Sequence, residues 1–250
     1  MEVSKTYSNN QHGYQDSYDY LNNYTKYDSL EQHLRLIEDS KKAVDIPIIA
    51  SINCISPAEW INYTKNFQDA GADALELNIS LLPSNFDKKS EDSEKVYFEI
   101  IEKINKVVKI PVSLKMSYYS AGLANLIQKL SWTKMVEGFV LFNRYYSPDI
   151  NIDKMEITSS NPLSSPDDIH LPLRWTALLS GKIHKDISAS TGAHDHEGLI
   201  KLLLVGAQTV QLVSTIYKNS EEYIPKVLEG LKTWMTKNYF EKIDDFRGKL

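Results

Sequence analysis

Two short turns, Thr191-Gly192 and Val213-Ser214, are the residues best suited to hold an anion. They belong to a stretch, 186–215, that reads as strand, glycine turn, helix, strand, turn. Two adjacent strand ends with unspent backbone N–H groups make a cradle for a phosphate. The C-terminal ends of the other apolar runs carry Asn53, Asn78, Lys115 and Asn143. Asparagine both donates to and accepts from a planar amide or imide ring. A lysine stabilises negative charge developing on such a ring. The set has no obvious acid, base or nucleophile, and it suits a flavin and a planar substrate. Taken singly, strand-end asparagines cap turns and Lys115 is a solvated cation; only their shared placement favours chemistry.

Other polar groups carry less. His194 and His196 have the spacing of a metal pair, but no carboxylates or further histidines are suitably placed. They read as residues beside the phosphate turn and at a helix start with Asp195, and no metal site is expected. Cys54 ends an apolar run and reads as a small buried hydrophobe. As the single cysteine it excludes an internal disulfide and a cysteine-built zinc site. Asp87, Glu91, Asp92 and Glu94 with Lys88 and Lys89 form a solvated charge run.

The elements that must position the strand ends alternate regularly. Ser29 with Gln32 forms a capping box opening a helix whose inner face carries Leu30, Leu34, Ile37 and Val44. Ile46 to Ile52 is a continuous apolar run, the pattern of a strand buried on both faces. Ser56-Pro57-Ala58-Glu59 joins cap, N1 proline and N3 glutamate, and Trp60, Tyr63, Phe67 and Ala70 line that helix until Gly71. Ala74 to Asn78 is a strand, and Tyr97, Ile100, Ile101, Ile104 and Val108 mark the inner face of a helix. Ile110 to Lys115 is a strand, Leu123, Leu126, Ile127 and Leu130 mark a helix, and Gly138 to Asn143 is a strand. A segment rich in Pro, Ser and Asp, 146–170, inserts next, with a short hairpin expected around Ile150, Ile152, Met155 and Ile157. A helix at 173–181, a long helix carrying Ile224, Val227, Leu228, Leu231 and Trp234, and a tail with Phe240, Ile243 and Phe246 complete the pattern.

An internal echo runs through it. Ala-Gly-Ala-Asp-Ala-Leu-Glu-Leu at 70–77 matches Val-Gly-Ala-Gln-Thr-Val-Gln-Leu at 205–212, and 45–52 resembles 109–116. Repeated βα units imply a parallel sheet or barrel. Strands beginning at 46, 73, 110, 138, 186 and 208 number six, whereas a closed (β/α)8 TIM barrel has eight. The fold class is therefore α/β, of the (β/α)8 TIM-barrel type but incomplete. Residues 1–28, polar and tyrosine-rich, read as an arm or loop, and 29–250 as the barrel domain.

The 250 residues, 42% of them hydrophobic, suffice for one such core. A net charge of −5 argues against nucleic acid or an anionic membrane as partner. No apolar stretch approaches the ~20 residues of a membrane span, and the polar N-terminus has no signal-peptide core. A cytoplasmic protein with a small-molecule substrate is expected.

Five strand-end motifs together resemble one family. These are Ile-Pro-Ile-Ile-Ala-Ser-Ile-Asn-Cys, Ala-Gly-Ala-Asp-Ala-Leu-Glu-Leu-Asn-Ile-Ser, Ile-Pro-Val-Ser-Leu-Lys-Met-Ser, Val-Leu-Phe-Asn-Arg-Tyr-Tyr and the paired phosphate turns. In order and spacing, from Ser29 to Phe246-Arg247-Gly248, they are similar to the dihydroorotate dehydrogenases, most of all the branch called dihydroorotate dehydrogenase-like proteins. The resemblance implies an FMN-dependent barrel that oxidises dihydroorotate to orotate in pyrimidine synthesis. It implies that Lys115 approaches the flavin ring, that Asn78 touches flavin and substrate, and that Asn143 binds substrate; Asn53, read from its place at a strand end, is a further substrate-binding candidate. It places the phosphate in the cradle of Gly192, Ala193, Val213 and Ser214, to which the turn itself adds Thr191.

The chain also departs from that family. The family's active-site loop reads Asn-x-Ser-Cys-Pro-Asn, with the cysteine, or a serine, as base. Here it reads Asn78-Ile79-Ser80-Leu81-Leu82-Pro83. Leu81 takes no proton, which leaves Ser80 or water for that task, and Pro83 replaces a substrate asparagine. Ala193 and Val213 stand where glycines are usual. Arg144 stands where a small hydroxyl residue is usual, and a guanidinium there suits a substrate carboxylate. Two strands and a helix that precede the region in the family have no counterpart in 1–28. A barrel short of two strands exposes two sheet edges, so a homodimer or a partner chain completing the barrel is expected. Three readings stay open: a flavin oxidoreductase; a binding protein or catalytically impaired barrel needing a partner; and an aldolase-type barrel with Lys115 forming a Schiff base.

Overall fold

The computed structural model describes residues 30–53, 57–79, 81–145, 148–159 and 162–250. The tyrosine-rich segment 1–28, the cap residues Ser29 and Ser56, Cys54 and Ser80 lie outside the described residues.

A helix over 30–43 (α1) leads into β1 (Ile49–Ile52), α2 (Pro57–Asp69), β2 (Ala74–Asn78), α3 (Ser90–Asn105), β3 (Val112–Lys115), α4 (Leu123–Trp132) and β4 (Gly138–Leu141). The insertion forms a hairpin, β5 (Pro148–Asn151) and β6 (Glu156–Ser159), with Ile150 opposite Ile157. A 3-10 turn at Pro166–Ile169 leads to α5 (His170–Leu179), β7 (Asp186–Ser190), α6 (His196–Leu204), β8 (Thr209–Gln211), α7 (Ser214–Asn219) and α8 (Tyr223–Lys237).

Six strands form one parallel sheet in the order β1-β2-β3-β4-β7-β8. The order follows the chain, as in a (β/α) barrel, but among the described residues β1 and β8 are its edges. The structure is an incomplete barrel. One expectation is corrected at the first edge. The run at 46–52 predicts a strand buried on both faces, yet β1 alternates, and Ile49 is 59% exposed. Ile49 and Ser51 face the trough on the concave side of the sheet, while Ala50 and Ile52 face the helices, so only one face of β1 is covered. β4, flanked on both sides, is buried throughout.

Two rows of side chains follow from the strand period of two. Leu75, Leu77, Val112, Leu114 and Ile187 are buried in one core with Phe67, Ile101, Ile104 and Ile127 from the helices. Burying such side chains against the helices stabilises by roughly 1.5–3 kcal/mol each. The alternate residues line the concave side. Ser51 pairs in register with Glu76, Glu76 with Ser113, and Ser113 with Gly138. Barrel interiors are normally filled by bulky branched side chains; here small and polar residues leave a trough of 610 Å³.

The internal echo has a structural meaning at the N-terminal ends of the strands. Asp73 accepts a hydrogen bond from Ile48 N–H at 2.7 Å, and Gln208, its equivalent, accepts one from Ile187 N–H at 2.6 Å. Each clips the start of the adjacent strand. The Ile48 bond and the Lys41 ammonium hold the Asp73 carboxyl below its usual range. The C-terminal tail closes on α6 and α8, where Phe246 is fully buried between the rings of Trp234 and Phe240.

Candidate functional site

The C-terminal ends of β3, β4, β7 and β8 meet around a cavity of 190 Å³. Its wall brings together Lys115, Asn143, Arg144, Thr191, Gly192, Ala193, Val213 and Ser214. Asn78 ends β2 in register with Lys115 and accepts a hydrogen bond from Asn143 Nδ2 at 2.8 Å. Asn53 follows β1 and is exposed, away from the cavity wall.

The cradle is built by backbone. Thr191 and Gly192 have φ of +86° and +81°. Such successive residues can turn their N–H groups into one concavity. The N–H groups of Gly192 and Ala193 donate to no other described residue. Asp195 then caps α6 by accepting from Gly198 N–H at 2.9 Å, which fixes where the turn ends. On the other side α7 begins at Ser214, and first-turn N–H groups have no partner within a helix. A β-branched residue such as Thr191 holds a positive φ at a cost of about 1–3 kcal/mol, and such strain gathers at ligand clamps.

A strap at 162–169 lies against the cradle. Buried Ser164 donates its N–H to Ser214 Oγ at 2.9 Å, and its carbonyl accepts from Lys218 Nζ at 2.7 Å. Its Oγ lies 2.9 Å from His194 Nε2. Arg144 Nη1 donates to Pro162 O at 3.0 Å, and its Nε stands 3.7 Å from Asp168 Oδ2. These contacts engage the guanidinium that the sequence reading offers to a substrate carboxylate. His196 opens α6 and packs against Gly230 of α8, away from His194's contacts.

Burial, reinforced by the Lys218 ammonium, lowers the His194 pKa; Asp195 and Asp168 oppose this more weakly. The native strap therefore favours the neutral ring. Its contribution is complete above the unfolded value of about 6.5 and is lost as pH falls below it towards the native value. Amides around Ser164 should exchange faster at about pH 5.5 than at about pH 7.5, after correction for intrinsic rates. A His194→Asn variant should lose that difference. Hydrogen-exchange mass spectrometry checks both, and equal protection at the two pH values would refute this role of His194 in seating the strap.

The sequence reading missed two residues. Glu76, only 4% exposed, stands 3.4 Å from Lys115 Nζ and accepts from Ser51 Oγ at 2.8 Å. Gln211 accepts from Lys115 Nζ at 3.0 Å and donates its Nε2 to Glu76 Oε2. The available signal was the echo, in which Glu76 and Gln211 occupy the same position of the two repeats.

Beyond Lys115, the loop after β2 brings Leu81 beneath an aromatic group. Tyr145 Oη donates to Leu81 O at 3.1 Å, and the rings of Tyr118 and Tyr119 pack edge-on to Tyr145. Burial, with a hydrogen bond to Tyr119, pushes the Tyr118 pKa up to about 12. At neutral pH it is a donor and not a base.

No protein-family model matches the chain. Among curated proteins it is similar to the dihydroorotate dehydrogenase B (NAD(+)) catalytic subunits of several archaea and bacteria. With that of Thermoplasma volcanium it shares 24% identity over 221 residues, 87% of this chain and 71% of the relative. With that of Thermoplasma acidophilum it shares 22% over 225 residues, 88% of this chain and 73% of the relative. With that of Pyrococcus furiosus it shares 23% over 218 residues, 85% of this chain and 72% of the relative. Among the described residues no helix is long and apolar enough to cross a membrane. Along most of its length, this chain is similar to curated dihydroorotate dehydrogenases.

Proposed function

We propose that the chain is an FMN-dependent oxidoreductase of the dihydroorotate dehydrogenase type, acting in the cytoplasm on dihydroorotate or a similar ring. One observation carries this reading: Lys115, Asn143 and the cradle residues Thr191, Gly192, Ala193, Val213 and Ser214 share one cavity wall. Asn78 is tied to that wall through Asn143. The unspent N–H groups of Gly192 and Ala193 fit the phosphate end of FMN, and Lys115 and Asn78 fit a planar ring with carbonyl and imide edges.

When bound, FMN accepts a hydride from the substrate. The chain's own residues do the rest. The cradle holds the phosphate. Lys115 stabilises negative charge on the flavin ring. Asn78 and Asn143 orient the substrate ring by paired donors and acceptors, and Arg144, held by Pro162 and Asp168 on the cavity wall, offers the cation for its carboxylate. Leu81 has no basic atom, so Ser80 or a water takes the substrate proton. Titration with FMN tests the reading: saturable binding with a perturbed flavin spectrum, bleached anaerobically by dihydroorotate, is expected. A chain that stays colourless with excess FMN would refute it.

A second reading rests on a different observation, the open edges of β1 and β8. On that reading the chain is a binding protein, or a catalytically impaired barrel, that works with a partner chain or a second copy covering those edges. It predicts concentration-dependent assembly in sedimentation, which a stable, flavin-loaded monomer would exclude.

A further inference from the structure

Glu76 and Gln211 lie at equivalent places in two repeats that are far apart in sequence. The equivalent pair slightly earlier in the repeats, Asp73 and Gln208, does the same job twice, each clipping a neighbouring strand. Glu76 and Gln211 instead meet each other. Gln211, on the edge strand β8, reaches back over the concave side to β2 and donates to Glu76 Oε2. Lys115 of β3 lies between them, 3.0 Å from Gln211 Oε1 and 3.4 Å from Glu76 Oε1. Ser51 of β1 supplies another donor to Glu76. Four strands therefore converge on one ammonium group.

We propose that Glu76 and Gln211 are positioning residues that clamp Lys115 at the floor of the cavity. A lysine side chain is flexible and loses rotamer freedom when its end is held. Two partners from opposite sides of the sheet fix its end point. The carboxylate also balances its charge in a site where water is scarce, since the side chains of Lys115 and Glu76 are 17% and 6% exposed. The clamp sets how much positive charge a bound ring would feel, because Lys115 presents itself as half of an ion pair. Gln211 adds a tie between β8 and β2 where backbone pairing does not reach.

The clamp itself is tested without flavin. Acylation of each lysine by an amine-reactive reagent, mapped by peptide mass spectrometry, reports how firmly its ammonium is held. In the wild-type chain Lys115 should react more slowly than the exposed Lys42 and Lys154. Glu76→Gln and Gln211→Ala should each speed Lys115 about tenfold, the worth of one hydrogen bond to a charged group, and leave Lys42 and Lys154 unchanged. If a variant fails to fold, every lysine speeds together, and the wild-type ranking then decides alone. Wild-type Lys115 reacting as fast as Lys42 would overturn the proposal, as would a folded Glu76→Gln variant with unaltered Lys115.

The consequence for the ring rests on the proposed flavin function. With FMN bound, Glu76→Gln should raise the flavin midpoint potential by leaving Lys115 unbalanced beside the reduced, anionic ring. An unchanged potential would sever the clamp from the cofactor. A wild-type chain that takes up no FMN would sink the flavin reading instead, and the labelling result would stand independently.

Discussion

Lys115→Met should abolish reduction of bound FMN by dihydroorotate, slowing it by about 10²–10³-fold, the usual cost of removing one charge-stabilising donor. Anaerobic stopped-flow bleaching of the flavin band measures it, with the spectrum itself confirming that the site is loaded. The same change should also weaken the fold. It strands the Glu76 carboxylate, 4% exposed, with only Ser51 and Gln211 as donors. Breaking a buried pair from one side costs about 3–5 kcal/mol. The two effects separate in the double variant Lys115→Met/Glu76→Gln. A neutral amide in place of the carboxylate should recover most of the stability in urea denaturation and none of the rate. A single variant that still bleaches at the wild-type rate would remove Lys115 from the chemistry. A double variant no more stable than the single would deny that the ion pair matters to folding.

Gly192→Ala should be the most damaging methyl group in the chain. Two independent reasons add. Its φ of +81° suits glycine, and a side chain there costs about 1–3 kcal/mol. The space is also taken: a Cβ would fall 2.7 Å from Asp168 C and closer still to Ile169 N and Cα. Overpacking against backbone costs about a further 1–3 kcal/mol, because backbone cannot rotate away as a side chain can. Gly181→Ala isolates the first cost. Its φ is +73°, yet nothing lies within 4 Å of its Cβ position. Chemical denaturation should show Gly192→Ala clearly less stable than Gly181→Ala. FMN affinity should fall only in Gly192→Ala, since the 3-10 turn at Pro166–Ile169 must retreat and the cradle N–H groups shift with it. Equal loss of stability in the two variants would mean that the close approach to Ile169 is not rigid.

Much of this architecture is legible in the sequence, for physical reasons that differ by element. β4 and α4 are plain because their apolar patterns match their surroundings: Gly138–Leu141 is buried throughout, and Leu123, Leu126, Ile127 and Leu130 form the one buried stripe of α4. β1 misleads because the two differ there. Its residues read as a two-sided buried strand, while its actual neighbours leave Ile46 and Ile49 exposed. Pattern reports what a residue prefers, and burial depends on what stands beside it. The hairpin follows from alternating apolar residues between turn formers, yet Ile150, Ile152, Met155 and Ile157 remain exposed. The candidate site divides similarly. Thr191-Gly192 and the strand-end residues are found by position alone, because a parallel βα unit always ends its strand at the same face.

The sequence by itself determined the βα alternation, the six strands, the resemblance to the dihydroorotate dehydrogenases and which residues end each strand. Those follow from periodicities of two and 3.6 and from local turn chemistry, which act over a few residues. Only the tertiary structure decided that β1 and β8 are edges, that Arg144 engages Pro162 and Asp168, and that Ser164 seats the strap on His194 and Ser214. It alone joined Glu76 to Gln211 around Lys115, across 135 residues of chain. Curvature of a sheet brings its far strands together, and no local pattern encodes how far that curvature runs.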